Sequence, residues 1–330
     1  GLISLLPRLR KISAFVVGVW ECLFLAFAVN AESVDVFANP ISVRPGVWFE
    51  ATEGALIFRG GFELRSRDSR FGGLSGLTIS GDGVELVAIS DRGWWLKALL
   101  VYGTGGDLIS LNGAELSPIL HLNGRQNVDK AWLDAEALVR LPGGDFIVVF
   151  ERVHRLWRYS NVGASARSLR INSIFTNLPY NRGIEALITL DGGRLLAIAE
   201  SGPSAHTLSG WIFDGVQAES LSYPYDGYFR PSDAARLDKH RILVLERGYN
   251  ERRGVAARLM LLDVVSVIAS SDLQPRPLIE LGPPVPLDNF EGLAVRRDPL
   301  GKLFVYLLSD DNYSSNQRTL LLMLEFLEVD

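Results

Sequence analysis

The sequence predicts an all-β fold, a β-propeller of five or six blades, on three observations. A hairpin pattern recurs about every fifty residues after Phe71, turn residues stand at the centre of each copy, and no long amphipathic helix interrupts the series. The first copy is Ser75-Gly76-Leu77-Thr78-Ile79, a turn at Asp82-Gly83, and a β-rich run over 84–90. The second is Glu136-Ala137-Leu138-Val139, Gly143-Gly144 and Phe146–Phe150; the third is Glu185-Ala186-Leu187-Ile188, Gly192-Gly193 and Leu195–Ala199. In the fourth, Asp233-Ala234-Ala235-Arg236 turns at Lys239-His240 into 242–245. In the fifth, Glu291-Gly292-Leu293-Ala294-Val295 turns over 298–301 into Leu303–Ser309. Gly-Gly between apolar runs marks a tight hairpin, because glycine reaches the positive φ that such turns need.

Third strands follow at Arg155–Tyr159, 211–213, 258–263 and 319–326, and fourth strands are expected at 119–122, 168–171 and 277–281. The stretch 55–66 either belongs to a sixth blade or supplies, through 58–65, the outer strand that closes the last blade against 319–326. Nothing divides 48–330 by composition, so 32–330 is read as one propeller domain.

With 330 residues, 48% hydrophobic and 22% charged, the chain is too apolar for wholesale disorder. Thirty-three Lys+Arg against 38 Asp+Glu leave a net charge of -5, so no basic surplus drives nucleic-acid binding. One Cys excludes a disulfide framework and a Cys-based zinc site, and four His leave little for a His-rich centre. Arg8, Arg10 and Lys11 precede an apolar run over 12–28 and then Val29-Asn30-Ala31. That order is a signal peptide over 1–31, cleaved after Ala31, or an N-terminal anchor. Export to the periplasm or medium is expected, with no membrane attachment after cleavage and a monomeric chain.

The sharpest feature is acidic. Glu136 and Glu151 lie symmetrically about Gly143-Gly144, Glu185 and Glu200 about Gly192-Gly193, Asp233 and Glu246 about Lys239-His240, and Glu291 and Asp310 about the last turn. The first hairpin has Asp91 opposite Ser75. Residues equidistant from a tight turn are expected opposite each other, roughly 5 Å apart at Cβ, which places paired carboxylates at the propeller mouth. Like charges so placed need a bound cation, a shared proton or arginines. Calcium, which takes six to eight oxygen ligands, suits such a mouth. Asp288, Asn289, Asp311 and Asn312 add oxygens beside the last hairpin. The structural alternative is an ion-pair ring through Arg92, Arg152 and Arg247, each following the second acid, joined by Arg182 and Arg230.

Other candidates carry less. The Ser75 context lacks the spacing of a nucleophile elbow. His121, His154, His206 and His240 have no ligand spacing, and Trp94, Trp95, Trp132 and Trp157 read as blade-packing aromatics.

Phe71-Gly72-Gly73-Leu74-Ser75-Gly76-Leu77 and Ser90-Asp91-Arg92-Gly93 resemble the opening of the phytase-like family described as having esterase-like activity. Asp288-Asn289-Phe290-Glu291-Gly292-Leu293-Ala294, Ser309-Asp310-Asp311-Asn312-Tyr313 and Asn316-Gln317-Arg318-Thr319-Leu320-Leu321 resemble its closing half. The resemblance implies an exported bacterial propeller that hydrolyses a phosphomonoester or ester. By similarity to propeller phytases, calcium would be held by Glu136, Glu185, Asp233, Glu291, Asp310 and Asp311. Arg92, Arg152, Arg182 and Arg247 would stabilise the reacting anion, while Asp91, Glu151, Glu200, Glu246 and Asn312 would contact substrate. No dense Lys/Arg cluster suits a highly phosphorylated inositol, so a small phosphorylated or ester substrate is expected. The alternative from another class is a non-catalytic periplasmic scaffold whose acids form a structural cation site or the arginine ring.

Overall fold

Continuous apolar runs flank each turn, and each folds as a strand of an antiparallel blade that neighbouring blades cover on both faces. The computed structural model describes residues 31–175 and 177–328; the leader expected over 1–31 lies outside them except for Ala31. Five sheets form, each with its first hairpin strand innermost: Leu74–Ile79, Ala135–Arg140, Ile184–Thr189, Arg230–Arg236 and Phe290–Arg297. These inner strands contact one another in sequence, and the last touches the first, so five blades close a ring around a central channel.

Blade 1 continues outward through Glu85–Ser90, Trp94–Tyr102, Leu108–Pro118 and the short Glu32–Ser33. Blade 2 adds Phe146–Phe150, Arg155–Tyr159 and Arg167–Ser168, and blade 3 adds Leu195–Ala199, Thr207–Phe213 and Ala218–Pro224. Blade 4 adds Arg241–Asn250, Gly254–Asp263 and Arg276–Glu280. In blade 5, Leu303–Ser309 and Thr319–Leu327 are followed by the 13-residue strand Gly54–Ser66, which comes from the other end of the chain. It runs antiparallel to Thr319–Leu327 from Leu64↔Thr319 to Ala55↔Leu327. Closure by 58–65, one of the two expected uses of that segment, is therefore the observed one, and the blade count is five.

Two expected outer strands differ. Residues 119–122 are not a strand: Leu108–Pro118 ends at a proline, which has no N–H for a ladder, and the chain turns where His121 N–H donates to the Arg125 carbonyl at 2.8 Å. The strand expected at 168–171 shortens to Arg167–Ser168 and runs into the 3₁₀ turn Arg170–Phe175. Strands Trp94–Tyr102 and Ala218–Pro224 lacked a turn signal strong enough to be read beforehand.

Leucines, phenylalanines and tyrosines from facing sheets pack in clusters between neighbouring blades. Each fully buried large side chain stabilises the fold by about 1.5–3 kcal/mol. The tryptophans serve this packing: Trp95 is fully buried, its ring 5.5 Å from Phe146 and 5.3 Å from Tyr159. Within the channel, Leu77, Leu138, Leu187, Ala234 and Leu293 form an apolar layer at the edge of a cavity of about 170 Å³. The acids stand on the other side of that layer, where the inner strands begin.

Candidate metal centre

Every inner strand carries a β-bulge near its start, and the bulges set the geometry of the mouth. In blade 2, Ala135 pairs with Phe150 and Ala137 with Val149, so Glu136 has no cross-strand partner. Glu185 and Glu291 are the extra residues of blades 3 and 5 in the same way. The expectation of carboxylates directly opposite each other is thereby corrected. Glu151 N–H donates to the Asp134 carbonyl at 2.8 Å and Glu200 N–H to that of Gly183 at 3.1 Å, two residues before Glu136 and Glu185, which were expected opposite them. A bulge re-aims a side chain; here it lets acids from both strands line the channel without lying in one pair.

The same register corrects the reading of blade 4. Pro231 pairs with Glu246 and Asp233 with Leu245, leaving Ser232 as the bulged residue. The column at the head of the inner strands is therefore Ser75, Glu136, Glu185, Ser232 and Glu291, not one containing Asp233. The column on the second strands is Asp91, Glu151, Glu200, Arg247 and Asp310, with Arg247 where Glu246 was expected. The two serines do matching work: Ser75 Oγ donates to the Ala135 carbonyl at 2.6 Å and Ser232 Oγ to the Phe290 carbonyl at 2.9 Å, each tying its blade to the next.

A cavity of about 150 Å³ fills the mouth, lined by seven carboxylates (Asp91, Glu136, Glu151, Glu185, Glu200, Glu291 and Asp310) together with Asn181, Asn312 and Arg247. Burial is the largest cause of every shift resolved among these seven carboxylates. It pushes Asp91 up to about 6, Glu151 to about 7 and Asp310 to about 9, with neighbouring carboxylates adding to each. Glu136 and Glu185 are held well above the usual range, first by burial and then by each other's neighbours: Glu185 acts on Glu136, and Glu200 on Glu185. Glu200 is raised by burial against the pull of Arg247, Arg230 and Arg182. Burial works to lower the Arg247 pKa, but the charges of Glu291, Glu185, Glu200 and Glu136 outweigh it and the net shift is upward.

The candidate residues divide by place. Asp91, Glu136, Glu151, Glu185, Glu200, Glu291, Asp310, Asn312 and Arg247 share the cavity. Arg247 reaches Glu291 Oε1 at 3.0 Å and Asn289 Oδ1 at 2.7 Å. Asp233, Glu246 and Asp311 stand outside it and hold other groups. Asp233 accepts from Ala234 N–H at 2.8 Å and Leu293 N–H at 2.7 Å, locking blade 4 to blade 5. Glu246 accepts from the Tyr223 hydroxyl at 2.6 Å and from Arg258 at 2.5 Å. Asp311 accepts from Gly73 N–H and Tyr313 N–H, both at 3.0 Å.

Arg92 lies 3.3 Å over the Tyr313 ring, Arg152 binds Asp134, and Arg182 also lies outside the cavity. An arginine ring around the mouth does not form: among the described residues, the ion pairs that reach its carboxylates are Arg247 with Glu291 and Lys130 with Asp91 at 3.9 Å.

Two carboxylate triads bring a ligand oxygen from each member within 4.8 Å of the others: Asp134, Glu136 and Glu151, and Glu151, Glu185 and Glu200. They share Glu151. The donors are all oxygens, the set that hard cations such as calcium take in preference to softer metals. Asp91 Oδ1 is buried with no hydrogen-bond partner, a further acceptor facing an uncompensated environment. The residues present therefore fit a hard divalent cation. Asp134 and Asn181 escaped the sequence reading. Asp134 carried a usable signal, two residues before Glu136 and directly ahead of the strand that begins at Ala135, whereas Asn181 sits in a loop with no periodic pattern.

The profile of the phytase-like family, described as esterase-like activity of phytase, matches residues 69–313. The chain belongs to this family. No curated protein matches it. Among solved structures, the phytase-like chain is 11% identical to a putative gluconolactonase, with 90% of this chain and 96% of that chain covered and a TM-score of 0.43. It is 9% identical to the α-L-arabinofuranosidase of Podospora anserina in complex with cellotriose, with 90% and 98% covered and a TM-score of 0.44. A luciferin-regenerating enzyme is 13% identical, with 79% and 96% covered and a TM-score of 0.41.

Proposed function

We propose that this phytase-like propeller is an exported hydrolase that cleaves a phosphomonoester or carboxylic ester at its acidic mouth with the help of a bound divalent cation, calcium being the best match. The observation that carries the reading is the pair of oxygen-only triads sharing Glu151, beside the single arginine of the mouth. Asp134, Glu136, Glu151, Glu185 and Glu200 would hold the cation. A cation so held supplies Lewis acidity toward an ester oxygen and lowers the pKa of a bound water.

The remaining roles fall to side chains of the chain itself. The Arg247 guanidinium, steadied by Glu291 and Asn289, fits the anionic oxygens of the substrate as a fork. Asp91, with one oxygen free, is the group to accept the proton of the attacking water and return it to the leaving alcohol oxygen. The mouth holds one arginine, which suits a substrate with one anionic group.

Hydrolysis of a panel of phosphomonoesters and carboxylic esters, before and after metal removal, tests this reading. Activity that vanishes with the metal, returns with calcium and is absent from Glu185→Gln supports it. Full activity without metal, or none toward either class, overturns it. A non-catalytic scaffold predicts the last outcome.

A further inference from the structure

We propose that a large groove beside the acidic mouth is the recognition site for the alcohol half of the substrate, and that this alcohol is polyhydroxylated, the substrate being a sugar or polyol monophosphate. The inference rests on the hydrolase reading for its chemistry but not for the binding it asserts. The groove has a volume of about 910 Å³, room for a ligand of disaccharide size. It is continuous with the mouth, because Glu200, Arg247, Glu291 and Asn312 line both cavities. A substrate whose anion sits on Arg247 thus extends its remaining atoms into the groove.

Three segments build the walls: the 225–231 connection into blade 4, the tall hairpin of Arg241–Asn250 and Gly254–Asp263, and the 312–317 loop. Tyr225, Tyr228 and Tyr249 supply aromatic surface, and Tyr249 is 68% exposed. The Tyr228 ring lies flat against the strand only because residue 248 is glycine, since a Cβ there would stand 2.5 Å from a ring carbon. Amides complete the lining: Asn289, Asn312, Asn316 and Gln317. Asn312, held in a left-handed conformation (φ 48°), donates from its amide to Gln317 Oε1 at 3.1 Å. The pair keeps the Asn312 oxygen and the Gln317 nitrogen as acceptor and donor for hydroxyls.

The lining also excludes other classes. Among its side chains only Pro231 and Val255 are aliphatic, too little surface for a fatty acyl or alkyl chain. Its cations are Arg230, stacked 4.2 Å over Tyr225 and donating to the Glu200 carbonyl, and Arg247, already paired with Glu291. One phosphate can be matched there; a polyphosphate cannot. Aromatic faces with amide hydrogen-bonders, few aliphatics and one anion position describe a hydroxylated ring or chain carrying a single phosphate.

Calorimetric titration of the purified protein with glucose 1-phosphate, glucose 6-phosphate, sorbitol 6-phosphate, phenyl phosphate and octyl phosphate, with and without calcium, tests the assignment. At least one sugar or polyol phosphate is expected to bind 10-fold or more tightly than phenyl and octyl phosphate. Tyr249→Ala and Gln317→Ala are each expected to abolish that preference while leaving any calcium-induced rise in melting temperature unchanged. Equal binding of all five, preference for octyl phosphate, or variants that retain the preference would overturn the assignment. Failure of the metal reading shows separately, as loss of the calcium response with the sugar-phosphate preference intact.

Discussion

At the scale of single residues, acids that line the mouth differ in kind from acids that hold the scaffold. Asp233 is of the second kind, and Asp233→Ala orphans two buried N–H donors, on Ala234 and Leu293. Each costs about 1–3 kcal/mol, so denaturant unfolding should show a large loss of stability with the calcium response kept. Glu185→Gln should do the reverse, weakening the calcium response more than the fold. Arg247 is the cation among seven carboxylates of the mouth, and its fork is assigned to the reacting anion. Arg247→Gln is expected to lower kcat on the best substrate about 10²–10³-fold, as loss of one transition-state donor does, with Arg247→Lys recovering part of it. Steady-state kinetics check this; an unchanged kcat would remove Arg247 from the reaction.

At the scale of elements, the ring is closed by a strand from the other end of the chain. Phe62, buried within Gly54–Ser66, pairs with Leu321. Phe62→Ala should cost about 3–5 kcal/mol in urea unfolding, more than a surface position of that strand would. The blades themselves were legible because Gly143-Gly144 and Gly192-Gly193 mark turns that few other residues allow. The bulges were not. Nothing in Ala135-Glu136-Ala137 says that Glu136 is skipped by the ladder, because the skip is decided where the inner strands crowd at the channel. Blade 4 was misplaced for another reason: Asp233 with Glu246 and Ser232 with Arg247 are equally symmetric about the turn, and only the ladder register gives the mouth positions to the second pair. The groove was invisible for a related reason: its tyrosines and amides come from three segments that only the closed ring brings together.

At the scale of the whole molecule, the fold concentrates carboxylates from four of its five blades in one buried mouth, and its stability must report their charge. Asp91, Glu151 and Asp310 have folded-state pKa values of about 6, 7 and 9, raised first by burial. A carboxyl raised on folding stabilises the fold fully below its unfolded pKa, and that contribution is lost as pH rises through the folded value. Metal-free protein should therefore melt at a lower temperature at pH 8 than at pH 5, and saturating calcium should shrink the difference. A metal-free midpoint higher at pH 8 than at pH 5 would contradict the burial of these groups. The most direct test of the central claim is the melting midpoint of the protein from Glu32, stripped of metal and then titrated with calcium at pH 7.5. A ligand bound only by the folded state at a hundred times its Kd adds about 2.7 kcal/mol, or roughly 4 °C for a chain of this size, so a saturable rise of that order is predicted. No shift with calcium, magnesium, manganese or zinc would contradict the metal centre and leave the mouth as scaffold.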